Sequence, residues 1–286
     1  MDFDSDGVRL HYEVHGLDSG APIVLVHGFA SHYRLNWVGT RWQEALTGAG
    51  FRVIGLDCRG HGDSDKPHDP RAYETPVMAG DVERLLDHLG IESAHYLGFS
   101  MGARIGIQCV LDFPARLRKA VLGGVGVKGA LAQAQSIARA LRGGVPENPV
   151  AKSFYEFARA RPHNDLEALA ACIEALSPPP DLALLKAVKT PILLVVGGND
   201  ELVSGAEDLV ELAGTIEMVP SGSSTPSFTS LRSSMPCSRT AISISSRSTP
   251  SRRITSVRHL PSFTMTAGAG VNRLWNRGSR SRRPTT

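Results

Sequence analysis

Twice between residues 21 and 56 the chain falls into a short unbroken apolar run, APIVLV and then FRVIGL, each the length of one strand. Runs of this kind are what a parallel strand covered on both faces requires. VRLHYEVHG, which precedes them, alternates apolar and polar positions and predicts a half-buried antiparallel strand. LNWVGTRWQEALTGAG, between the two runs, predicts one helix closing on glycine. MAGDVERLLDHLGI has the spacing of an amphipathic helix. AHYLGFS then predicts a strand, and MGARIGIQCVLDFP a helix ended by Pro114. KAVLGGVG and TPILLVVGG predict two more buried strands, ELVSGAEDLVELAG a helix, and TIEMVP a last strand. Repeated strand–helix units define an α/β fold with a mostly parallel central sheet flanked by helices.

The alternation breaks between about residues 129 and 180, where LAQAQSIARALRGG, VAKSFYEFARARP and DLEALAACIEAL are all helical in pattern. A helical insertion this long between two strands predicts a small cap over one end of the sheet. After Pro220 no period of 2 or 3.6 survives. Residues 221–286 hold 17 Ser, 9 Thr and 11 Arg, with no Lys, Asp or Glu. That composition offers little apolar surface to offset the entropy of ordering, and predicts a disordered tail behind a domain of residues 1–220.

Charge sharpens this division. The net +3 of the 286-residue chain combines a formal −8 over residues 1–220 with +11 over the remainder. The basic balance therefore belongs to the tail, and without a recognition motif it predicts no specific nucleic-acid partner. No apolar run is long enough to span a bilayer, and the acidic N-terminus lacks the pattern of a signal peptide, so a cytoplasmic protein without a membrane partner is expected. Cys58, Cys109, Cys172 and Cys237 are scattered without metal-ligand spacing, and free thiols are expected. Nothing in the pattern calls for a metal or cofactor.

The chemistry concentrates at Gly98-Phe99-Ser100-Met101-Gly102, a serine between two glycines where a strand ends and a helix begins. A strained turn there holds the hydroxyl clear of the sheet, at a helix N-terminus that favours negative charge, and a Cβ at either glycine would clash. Three further segments keep it company in order: VLVHGFA (24–30), GLDCRGHGDSDKP (55–67) and LLVVGGNDELV (193–203). Together the four motifs resemble the α/β-hydrolase family, in its serine-hydrolase branch, over residues 1 to about 220. The resemblance implies Ser100 as nucleophile, the backbone N–H groups of Phe29 and Met101 as an oxyanion hole, and Asp200 as the acid that orients a histidine base. His27, Gly28, Gly98 and Gly102 would shape the site, and His61, Asp57, Arg59 and Asp65 would tie down its loops. Trp37, Phe154, Tyr155 and Phe157 are open between an acyl pocket and core packing. Acyl transfer on an ester-like small molecule is the implied reaction, with ester, lactone, C–C bond and peracid substrates left open.

One part of the pattern is missing. The family's histidine follows the acid by one helix and one strand as Gly-x-x-His, and here Gly222 is followed three residues later by Thr225. Threonine cannot act as the base at neutral pH. If Ser223 and Ser224 are encoded AGC and Thr225 ACN, reading one base earlier gives Gln-His at 224–225. A frameshift near codon 221 or 222 then accounts for the lost histidine, the vanished acidic residues and the Ser/Arg composition together. His259 is the only histidine after Asp200. A scaffold that binds a small ligand without turning it over is the alternative expectation.

Overall fold

The N-terminal strands show why the sheet begins where it does. In a computed structural model that describes residues 1–126, 129–176, 181–197, Leu209 and 216–221, β1 (Asp2–Ser5) and β2 (Val8–His15) form an antiparallel hairpin. Asp6 and Gly7 connect them at φ +53° and +79°, the pair of left-handed residues that a tight two-residue hairpin turn needs. β3 (Ala21–Val26) and β4 (Phe51–Leu56) are the two apolar runs, paired in parallel. β2 lies antiparallel against β4.

The region between β3 and β4 departs from the single helix its pattern predicts. Arg34–Val38 makes one wide helical turn, and the regular helix α1 (Trp42–Gly48) starts only after Arg41, which sits at φ +65°. A left-handed residue cannot continue a helix, so the apolar periodicity spans two pieces rather than one. Beyond β4 come α2 (Thr75–His88), β5 (Ala94–Phe99), α3 (Met101–Asp112) and β6 (Leu117–Gly123). Among the described residues three α-helices follow before the sheet resumes, α4 (Gly129–Leu141), α5 (Pro149–Arg159) and α6 (Leu166–Glu174), and then a short 3-10 helix at Leu182–Ala187. β7 (Ile192–Gly197) and β8 (Ile216–Ser221) complete the sheet.

The strand order is β1-β2-β4-β3-β5-β6-β7-β8, with every pair from β4 to β8 parallel. Burial on both faces explains the unbroken runs. Along β3, Val24 and Val26 join one core cluster with Ile54, Leu56 and Tyr96, while Ile23 and Leu25 join another with Tyr33, Trp37, Phe51 and Leu97. The order also fixes where a site can form. From β3 the chain crosses to β4 on one side, and from β5 it crosses to β6 on the other. The loops leaving the carboxyl ends of β3 and β5 therefore diverge and open a crevice, the usual ligand position in open parallel sheets.

Candidate functional site

Ser100 sits at that crevice, between the last residue of β5 and the first of α3, at φ +52° and ψ −110°. Left-handed φ at a residue with a Cβ costs on the order of 1–3 kcal/mol and persists only when neighbours enforce it. Here the Ser100 N–H donates to the Gly123 carbonyl at 2.8 Å, and the Ser100 carbonyl accepts from the Arg104 N–H at 3.0 Å. The flanking glycines have a steric reason. A Cβ on Gly98 would lie 2.4 Å from the Gly102 carbonyl oxygen, and one on Gly102 would lie 2.2 Å from that of Val26. Both obstacles are backbone and cannot swing aside.

The loop after β3 is stitched to this turn. The Gly102 N–H donates to the His27 carbonyl at 3.1 Å, and a Cβ on Gly28 would stand 3.5 Å from that of Ser100. The His27 ring is wholly buried. Its Nε2 accepts from the Cys58 N–H at 3.0 Å, so the proton is on Nδ1, which donates to the Gly28 carbonyl at 2.8 Å. The Ser31 N–H reaches the same carbonyl at 3.2 Å. Because the peptide is planar and trans, fixing the Gly28 C=O fixes the opposed direction of the Phe29 N–H. Among the described residues no acceptor meets that N–H. Phe29 itself is buried, its ring edge-on to His61 at 5.8 Å.

Neither nearby histidine is suited to be a base. Burial lowers the His27 pKa to about 4 and that of His61 to about 3. His61 Nδ1 donates to the Arg59 carbonyl at 2.9 Å, and its Nε2 finds no partner among the described residues. The two rings lie 5.2 Å apart.

In the loop after β4, Arg59 is buried and makes two parallel hydrogen bonds to Asp81 of α2, Nε to Oδ2 at 2.7 Å and Nη2 to Oδ1 at 2.6 Å. Ser5 Oγ donates to Asp81 Oδ1 at 2.6 Å, and Arg59 Nη1 to the Ala72 carbonyl at 3.0 Å. Burial raises the Asp81 pKa, against the opposing pull of Arg59 and Ser5. Asp57 instead takes the Tyr33 N–H at 2.7 Å and the Asp63 N–H at 3.0 Å. Asp65 holds Arg9 at the exposed side. The motif shows Arg59 but gives no hint of its partner 22 residues on. The one available signal is an acid among Met78, Ala79, Val82 and Leu85 on the apolar face of α2.

Helices α5 and α6 reach this crevice from above. Phe154 lies 5.9 Å from Phe29, Asn164 Nδ2 donates to the Ala30 carbonyl at 3.3 Å, and Cys172 Sγ lies 3.9 Å from Met101 Sδ. Trp37 belongs to the core, fully buried against Trp42. Tyr155 and Phe157 pack partly buried against the main core, with Arg159 and Arg161 over their rings. Cys58, Cys109 and Cys172 are free and buried. Asp200, Thr225, Cys237 and His259 lie outside the described residues. Among the described residues no three His, Cys, Asp or Glu gather as a metal site, and no helix is long and apolar enough to cross a membrane.

A mostly parallel eight-stranded sheet, with a strained Ser100 between two sterically required glycines, defines the chain as a protein of the α/β-hydrolase fold, and residues 21–154 match the alpha/beta hydrolase fold family. Among solved structures it is similar to a hydrolase from Pseudomonas aeruginosa PA01, at 25% identity and TM-score 0.63, covering 78% of this chain and 90% of that one. It is also similar to Est816, described as an N-acyl homoserine lactone degrading enzyme, at 27% identity and TM-score 0.60, covering 77% and 91%. Bifunctional epoxide hydrolase 2 of Sus scrofa is 35% identical over 113 residues, 39% of this chain and 19% of that protein. The matches to curated relatives span well under half of those proteins' lengths.

Proposed function

We propose that this chain is built for serine-dependent acyl transfer on a small ester-like or lactone substrate. Ser100 is the nucleophile, the N–H groups of Phe29 and Met101 receive the developing oxyanion, and Asp200 orients a base. Helices α4–α6 act as a cap, within a domain of residues 1–220 that carries a separate tail at 221–286, and the protein works in the cytoplasm without a cofactor. The observation that carries this reading is the left-handed Ser100, beside a Phe29 N–H with no acceptor among the described residues. With Thr225 where the histidine belongs, turnover is impaired, since loss of the base costs up to about a millionfold in kcat where a full triad operates.

Hydrolysis of a short-chain p-nitrophenyl ester by the full chain, against Ser100→Ala, tests the proposal. We expect slow turnover that falls to the uncatalysed rate in the variant. Equal rates from two folded samples would overturn it in favour of a ligand-binding scaffold, which the missing histidine favours.

A further inference from the structure

We infer that Asn36 is a positioning residue for the backbone donor at Phe29, an inference that rests on the hydrolase reading above. The wide turn at Arg34–Val38 closes with the Gly39 N–H donating to the Arg34 carbonyl at 2.8 Å, five residues back. Such turns are rare and recur at functional sites. This one sends Trp37 into the core and brings its neighbour Asn36 against the loop after β3, where Asn36 Oδ1 accepts from the Gly28 N–H at 3.1 Å. Asn36 is itself held at both backbone ends, its N–H by the His32 carbonyl at 3.0 Å and its C=O by Thr40 Oγ1 at 2.6 Å.

The consequence lies in the order of ties along the loop. The His27 carbonyl is held by the Gly102 N–H, the Gly28 N–H by Asn36, and the Gly28 carbonyl by the His27 ring and the Ser31 N–H. Two successive peptide planes are thereby fixed, and the next N–H, that of Phe29, is left pointing where those planes dictate. Among the described residues Asn36 supplies the one tie made by a side chain from outside the loop directly to these two peptides. Without it the His27–Gly28 plane is anchored on one side only, and the Phe29 N–H loses its aim while Ser100 stays in place. The effect belongs on the rate of the chemical step rather than on substrate binding, because the donor serves the tetrahedral intermediate.

The test combines turnover with amide exchange in the full-length protein. We expect Asn36→Ala to lower kcat by about 10- to 100-fold with KM changed less than about twofold. Amide exchange should accelerate at Gly28 and Phe29 but not in β3 or β5, and Asn36→Asp, which keeps an acceptor oxygen, should restore protection at Gly28. An unchanged kcat, a loss confined to KM, or accelerated exchange throughout the sheet would overturn the inference. If the unaltered chain shows no Ser100-dependent turnover, the hydrolase reading fails by itself. Exchange then decides the positioning role, and unchanged Gly28 and Phe29 amides in Asn36→Ala would end it.

Discussion

The loops beneath Ser100 and the helices above it differ in where their polar ties lie. Below, charge and polarity are buried: Arg59 and Asp81 pair with side chains 3% and 2% exposed, and His27 and His61 are neutral and fully enclosed. Above, the polar ties are exposed or half-exposed: ion pairs of Arg142 with Glu167 and Glu174 and of Arg139 with Glu147, and a hydrogen bond between His68 Nε2 of the β4–α2 loop and Asp165 at the start of α6. Buried pairs break at high cost, whereas exposed ones are screened and contribute little. The difference lies in the polar ties alone, since α4–α6 also bury Ile137, Leu141, Leu169 and Ile173 in the same apolar core as the sheet.

The contrast breaks most directly at Arg59. Arg59→Ala leaves the Asp81 carboxylate buried without its partner, and should cost about 3–5 kcal/mol of unfolding free energy in urea denaturation. The double change Arg59→Met with Asp81→Leu should recover most of that loss. A cost below about 1 kcal/mol for the single variant would place this pair with the surface ones.

Acidification gives a smaller effect with a definite sign. Folded His27 and His61 stay neutral down to about pH 4 and 3, while the unfolded chain protonates them near 6.5. Below 6.5 the unfolded state therefore binds more protons, so stability is complete above that pH and declines as pH falls toward 4. Denaturation at pH 7.5 and 5 should differ by about 2 kcal/mol for each of the two rings. His61→Phe should flatten the slope, and an unchanged slope would show that His61 titrates alike in the folded and unfolded chain. The smallest effect belongs to the upper layer: Arg142→Ala should cost less than about 1 kcal/mol, and less still in 0.5 M salt. A larger, salt-insensitive loss would erase the distinction between the layers.

How much of this could be read from the chain follows from the range of the interactions. β3, β4, β5, β6 and β7 announce themselves because burial on both faces demands an unbroken apolar run. The glycines around Ser100 do so because only a residue without Cβ avoids the carbonyls of Val26 and Gly102. β1 is not legible because DFDS carries two acids at a sheet edge, although Asp6-Gly7 is itself a turn signal. The break in LNWVGTRWQ was hidden because Trp37 and Trp42 keep an apolar rhythm on both sides of Arg41. Asn36 and Asp81 escaped for a different reason: each works through one partner fixed by tertiary packing, and pair contacts leave no period.

The parallel course of β8 carries one more consequence. Its last residue, Ser221, is level with Gly197, and Gly123 is level with both Val195 and Phe99. The chain therefore leaves the sheet on the rim where Ser100 stands, three strands away, about 14 Å at ordinary strand spacing. Four residues fully extended span about 14 Å. The end of β8 thus lies within a short segment's reach of Ser100. Whether this chain is an enzyme or a receptacle turns on which side chain arrives there.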